Sequence, residues 1–324
     1  MANVLAGDIG GTTTRLGVFE LGESRPRLVV TKSYGTADFS GIAEMVGAFL
    51  LDAGIDAHAI GAACFGAAGP VLNGVAELTN SPVRVDAAAI GRALGLARVS
   101  LLNDLEALAH AVPVLAADEV HVLQEGRANP EGAIAIIAAG TGLGEAVIYQ
   151  IDGRAVVQPS EGGRADFAAR TDREIIVLQH VTRAHGRAAV EHVVAGIGLV
   201  NIHNAIHPGG CSAGIDLSHA DAPAHISVAA FEQRCPSCVD ALAMFVSAYG
   251  AEAGNLALRT VSTGGVYIGG GIAPKILPAL TTGDFLPAFR AKAPFTPMLT
   301  AMPVKVILNA EAGLLGAAKF CSLT

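Results

Sequence analysis

A short apolar segment that ends in a glycine turn occurs three times in this chain, and it restricts the fold more than any other feature. Val4 to Asp8 runs into Gly7-Asp8-Ile9-Gly10-Gly11-Thr12-Thr13, and Ala133 to Ala138 runs into Gly140-Thr141-Gly142-Leu143-Gly144. Val266 to Ile268 runs into Gly269-Gly270-Gly271-Ile272-Ala273-Pro274. Apolar runs this short, bounded by glycine, read as buried strands. The first is followed by two more strand-like runs, Arg15–Glu20 and Arg27–Ser33, joined by Gly22-Glu23-Ser24. The second is followed by Glu145–Ile151 and Ala155–Gln158, a hairpin around Asp152-Gly153. Each half therefore opens with a strand, a glycine turn and a hairpin. This repeat of architecture predicts two related α/β domains, residues 1–112 and 113–309, across a cleft, a favoured place for a ligand.

Between these landmarks the pattern alternates. Ile42, Met45, Val46, Phe49, Leu50 and Ala53 lie on one face of a helix, with Ser40 as the expected N-cap and Gly54 as the stop. Ile60–Phe65 and Val75–Leu78 read as strands, and Ala87–Leu94 as a helix stopped by Gly95. Val99–Leu102 is a strand that runs straight into Asn103-Asp104 and the helix 105–111. Helices dominate from Arg173 to Val261, and the last pair is a strand over Val304–Leu308 and a helix over Glu311–Phe320.

Composition narrows the function classes. The 324 residues are 52% hydrophobic and 15% charged, with no tryptophan, so the core is aliphatic. The net charge of −8 argues against a nucleic-acid or anionic-membrane partner, which calls for clustered Lys and Arg. It leaves room for a phosphate site built from backbone N–H groups. The start lacks the basic segment of a signal peptide, and the uncharged stretch 57–76 is broken by glycines and Pro70, so a cytosolic protein is expected. Five cysteines do not suggest a disulfide framework. Cys235-Pro-Ser-Cys238 is a lone pair, with His219 and His225 nearby as the histidines a zinc site would need. The preferred reading is a helix start with Pro236 in its first turn and no metal.

Several residues are candidates for chemistry. Glycines at 7, 10 and 11, with Ile9 and Thr12, offer a backbone that can approach phosphate closely. Asp8 beside them is placed to hold Mg²⁺ through water. Gly140, Thr141 and Gly142 occupy the matching position of the second half, and Gly270 and Gly271 lie between a strand and a helix, where nucleotides often bind. Each turn also has a purely structural reading, as a hairpin or as a corner that needs positive φ. Asp104 sits at a strand end, where a general base belongs, but position alone favours a helix-capping role. Glu161, in the run Glu161-Gly162-Gly163-Arg164, and Glu191 are candidates for sugar hydroxyls, or else surface charges.

Taken in order, these motifs resemble the bacterial glucokinases of the sugar kinase and actin-like superfamily over nearly the whole chain. GDIGGT (7–12) and AGTGLG (139–144) are similar to the two phosphate loops, and GGVYIGGGI (264–272) to the adenosine segment. LTN (78–80), LLNDLEA (101–107), EGGRADF (161–167) and EHVVAGIGLVNIH (191–203) are similar to the segments around the sugar. NAEAGLLGAA (309–318) resembles a C-terminal helix that packs back on the first domain, so 310–324 is expected to complete it. The resemblance implies an α/β fold of two actin-like, ribonuclease H-like domains, and an enzyme that phosphorylates glucose from ATP with Mg²⁺. Asp104 would be the base, and Asn80, Asn103, Glu161, Arg164 and Glu191 would be sugar contacts. A homodimer is expected. Arg164 departs from the family pattern, which has histidine after Glu-Gly-Gly, so a kinase for mannose or glucosamine is the nearest alternative. A non-kinase actin-like ATPase has no need for Glu161 and Glu191. A sugar-responsive repressor would need a helix-turn-helix ahead of the strand that begins near Val4, where no room is expected for one.

Overall fold

A computed structural model describes residues 3–78 and 83–323. The chain divides into two compact units, residues 1–119 with 309–324, and residues 120–308. Each unit is built on its own sheet.

In the first unit, β1 (Asn3–Ile9), β2 (Thr13–Glu20) and β3 (Arg27–Gly35) form an antiparallel meander. After α1 (Ile42–Asp52), β4 (Ile60–Ala67) joins β1 in parallel. Three short strands, β5 (Val71–Leu72), β6 (Val75–Glu77) and β7 (Arg84–Asp86), make a small separate sheet. Then come α2 (Ala87–Leu94), β8 (Val99–Asn103) parallel to β4, and α3 (Asp104–Ala111). The main sheet has the order β3-β2-β1-β4-β8.

α1 buries Ile42, Met45, Val46, Phe49 and Leu50, the stripe read from the sequence. Its N-cap differs from expectation. Gly41 occupies that position without a side-chain cap, because the Ser40 N–H and hydroxyl both donate to Glu44 Oε2, at 2.9 and 2.6 Å.

The second unit contains β9 (Val120–Gln124), β10 (Ile134–Ala139), β11 (Leu143–Ile151) and β12 (Arg154–Ser160). A helical region follows: α4 (Asp172–His185), α5 (Gly196–Ile206), α6 (Ala222–Phe231) and the long α7 (Pro236–Thr260). β13 (Gly265–Gly269), three short helices α8 (Leu277–Thr282), α9 (Phe285–Arg290) and α10 (Thr296–Ala301), and β14 (Val304–Ile307) complete it. The sheet order is β12-β11-β10-β13-β14-β9. Its first five strands repeat the first sheet: an antiparallel meander, then two strands added in parallel, with β9 as an antiparallel sixth.

The helix Ala312–Cys321 returns to the first unit, where it packs on α3, β1 and β4. It comes so close to α3 that a Cβ on Gly316 would lie 1.7 Å from the Ala107 carbonyl oxygen. Gly66 of β4 plays the same part from the other side: a Cβ there would meet Ala107 Cβ at 3.0 Å and Asp104 Cα at 3.5 Å. Small residues therefore fix how deeply the amino end of α3 is seated.

Candidate functional site

In the first unit the candidate residues leave the carboxyl ends of neighbouring parallel strands, where α/β sheets bind ligands. Register places Ile9 beside Ala67 and Ala67 beside Asn103. The Gly10–Thr12 loop and the Asn103-Asp104 corner are thus two strand spacings apart, roughly 10 Å.

The loop itself is tied down. The Gly10 N–H donates to the Thr13 carbonyl at 3.1 Å, and a Cβ on Gly10 would stand 2.9 Å from that oxygen. Thr36 donates its hydroxyl to the Gly10 carbonyl at 2.8 Å, and its N–H donates to the Thr12 carbonyl at 2.9 Å. The buried Thr14 hydroxyl is 2.9 Å from that of Thr36. Thr14 and Thr36 were not legible as loop-holding residues, since they are far apart in sequence and threonine carries no local signal there. Gly7 and Ile9 are less tied to a ligand than the motif suggests. Ile9 is core, and Gly7 lacks a side chain because a Cβ would overlap the Phe65 ring at 2.3 Å. Asp8 lies beside Gly313 of the C-terminal helix, where a Cβ would sit 3.7 Å from Asp8 Oδ2. Burial raises the Asp8 pKa above the ordinary carboxylate value, and the Arg15 guanidinium works against that rise.

At the end of β8 the capping role goes to the neighbour of the residue first suspected. Asn103 Oδ1 accepts from the N–H groups of Leu105 and Glu106, at 2.9 and 3.4 Å, and Glu106 returns the bond to the Asn103 N–H. This is a capping box. Asn103 Nδ2 donates to the Gly69 carbonyl at 3.1 Å, which leaves its second amide hydrogen for a ligand. Asp104 is the first helical residue, half-buried, with Oδ1 accepting from the Leu105 N–H at 2.9 Å. Asn80 lies outside the described residues.

In the second unit, Gly140, Thr141 and Gly142 form the turn between β10 and β11. The Gly140 N–H donates to the Gly142 carbonyl at 2.8 Å, and the Gly140 carbonyl accepts from Gly196, the first residue of α5, at 2.9 Å. Gly140 has open space where a side chain would go, and Thr141 is exposed, so both can approach a ligand. Gly271 is likewise open. Gly270 is explained by the fold: its φ is +82°, and a Cβ would meet the Ala139 carbonyl oxygen at 2.3 Å.

Arg164 and Glu191 are brought together as an ion pair, Nη1 to Oε1 at 2.8 Å, with Glu191 side chain only 12% exposed. Glu191 Oε2 faces the phosphate turn, 3.2 Å from where a Gly142 Cβ would be. The Glu161–Arg164 turn is pressed onto β11. A Cβ on Gly162 would stand 2.0 Å from Glu145 Oε2, and one on Gly163 would stand 2.0 Å from the Leu143 carbonyl oxygen. Arg187 fastens the same turn, donating to the Arg164 carbonyl at 2.6 Å and to Asp166 at 2.7 Å. Glu145 beneath it is buried, with Glu252 and Arg259 as its charged neighbours, and burial pushes its pKa up to about 7. An acidic residue inside the apolar run 143–148 was the available signal for Glu145.

Comparisons with known proteins agree with these features. A family model described as Glucokinase matches residues 5–324. The chain belongs to the glucokinase family. A glucokinase from Nostoc punctiforme is 38% identical over 337 aligned positions, covering 98% of each chain. The crystal structure of a glucokinase from an Antarctic psychrotroph superposes over the whole of both chains with a TM-score of 0.87 at 28% identity. The fold extends to a ROK family glucokinase from Streptomyces griseus solved with glucose and AMPPNP, with a TM-score of 0.69 at 22% identity. Both sheets are those of this actin-like kinase fold. No helix among the described residues is long and apolar enough to cross a membrane.

Proposed function

We infer that Asp104 is the general base of the ATP-dependent phosphorylation of glucose that family membership assigns to this chain. The observation that carries this reading is the division of labour at the amino end of α3. Asn103 and Glu106 provide the cap that the helix requires, so Asp104 is not needed for it. Its carboxylate stands at the carboxyl edge of the sheet, on the first turn of a helix seated by Gly66 and Gly316.

In the reaction the glucose 6-hydroxyl oxygen forms a bond to the γ-phosphorus of ATP while the bond to the β-phosphate oxygen breaks, releasing ADP. Asp104 takes the hydroxyl proton as its oxygen attacks. Backbone N–H groups of Gly11, Thr12, Thr141 and Gly142 bind phosphate oxygens, where charge develops, while those of Gly10 and Gly140 close their own turns. Asn103, Glu161, Arg164 and Glu191 orient the sugar. Asp8 would hold Mg²⁺ beside the Gly10–Thr12 loop, since a carboxylate whose charge is disfavoured by burial gains from a nearby cation, and the ion would neutralise phosphate charge there.

The test is Asp104→Asn, assayed for kcat and, separately, for glucose binding. The expected result is a kcat lower by about a hundredfold or more with glucose affinity within about threefold of the parent. A variant that keeps a tenth or more of the parent kcat removes Asp104 from the role of base.

A further inference from the structure

We propose that His203, Cys211, Cys235 and Cys238 bind a zinc ion in a closed, structural site. The four come from three separate parts of the second unit. His203 is on α5, Cys211 is in the irregular segment that follows it, Cys235 is the N-cap of α7, and Cys238 is in the first turn of α7. One ligand atom from each lies within 4.8 Å of all the others. Cys211 Sγ is 3.6 Å from both Cys235 Sγ and Cys238 Sγ. A zinc–sulfur bond of about 2.3 Å in a tetrahedron separates two sulfurs by about 3.8 Å. A disulfide would need about 2.05 Å, so these spacings match shared coordination and not a sulfur–sulfur bond.

The second observation is independent of the sulfurs. His203 is fully buried, and neither of its ring nitrogens has a hydrogen-bond partner. A buried imidazole without partners is costly, and a metal ion provides one nitrogen with a strong one. Three thiolates and an imidazole form a soft donor set that favours zinc over the Mg²⁺ of the phosphate site. Four protein ligands leave no open position for substrate or water, so the ion holds the fold together and does no chemistry.

A zinc site here runs against the sequence expectation of a metal-free helix start. Pro236 does open α7, but the same corner supplies two ligands. His219 and His225, the histidines nearest in sequence, are not among them; they stack on each other, and His219 pairs with Asp221. The spacing His203…Cys211…Cys235-x-x-Cys238 brings its ligands together only through the packing of α5 against α7. The site would pin the segment 207–221, which has no helix or strand of its own, to both helices. His203 lies about 10 Å along α5 from Gly196, so the clamp sits at the far end of the helix whose start braces the Gly140 turn.

The test is elemental analysis of the full chain, purified under reducing conditions without chelator or metal-affinity resin, alongside Cys211→Ser and His203→Ala. About one zinc per parent chain is expected, with less than about a tenth of that in Cys211→Ser. Cobalt exchanged into the parent should give the intense visible bands of a tetrahedral thiolate site, and chelation should lower Tm by more than about 5 °C. The parent chain alone decides the matter if a variant does not fold. A parent that takes up no zinc after dialysis against the metal, whether its thiols then react freely or are found as a disulfide, overturns the proposal. So does zinc that remains in both variants, because it would be bound elsewhere.

Discussion

Arg164 ties a guanidinium to Glu191, the glutamate proposed to contact the sugar. The arginine is 49% exposed, so the pair gains little in stability, about 1 kcal/mol at most. Its value lies in holding Glu191 at one angle beside Gly142. Arg164→Ala should raise the KM for glucose about fivefold while kcat stays within about twofold, the pattern of lost uniform binding. Arg164→His should recover part of that loss, since imidazole can donate to the same carboxylate. Steady-state kinetics over a panel of hexoses checks this, with glucose expected to remain the best substrate. A fall in kcat larger than the rise in KM would place Arg164 in the transition state instead. Residue roles were partly legible in the sequence: Asn103-Asp104 stood out, but which of the two caps the helix depends on side-chain geometry that position does not encode.

The contact between α3 and the C-terminal helix is set by backbone. Gly316 has no room for a Cβ against Ala107, and the obstructing atom is a carbonyl oxygen that cannot rotate away. Gly316→Val should destabilise the protein by about 3 kcal/mol or more, the upper range for overpacking, and depress kcat with it by unseating α3. Thermal unfolding together with activity at low temperature tests this, and a variant of parental stability would mean that the helices separate easily. Among the elements, strands and glycine turns were well signalled, because buried runs and conformational breaks are local properties. The β1–β3 meander, its counterpart β10–β12 and α1 follow the reading closely. What was hidden depends on distance. Nothing near Gly7 announces Phe65, nothing near Gly10 announces Thr36, and nothing near Cys235 announces His203. The N-cap at Ser40 failed for a related reason, since Glu44 competes for the same hydroxyl.

On the scale of the whole molecule, stability should carry a signature of Glu145. Its folded pKa is about 7, raised mainly by burial and next by Glu252, with Arg259 opposing. The unfolded chain releases this proton near the ordinary value of 4.5, while the folded chain retains it. Stability therefore falls as pH rises from about 4.5 towards about 7, and levels off above. Glu145→Gln removes this dependence, so its advantage over the parent should grow by up to about 3 kcal/mol from pH 5 to pH 7.5. Denaturant titrations at both pH values test the sign, and a difference that does not change with pH would show that Glu145 ionises normally. The return of the last helix to the first unit has a further consequence, in the order of biosynthesis. A ribosome must deliver all of residues 120–308 before Ala312–Cys321 emerges, so the nascent first sheet waits with the Asp8 side of β1 uncovered while the second unit already has its entire sequence. Translation thus favours completion of the later-encoded unit first, and the segment bearing Asp104 gains its final support from a helix encoded after that unit.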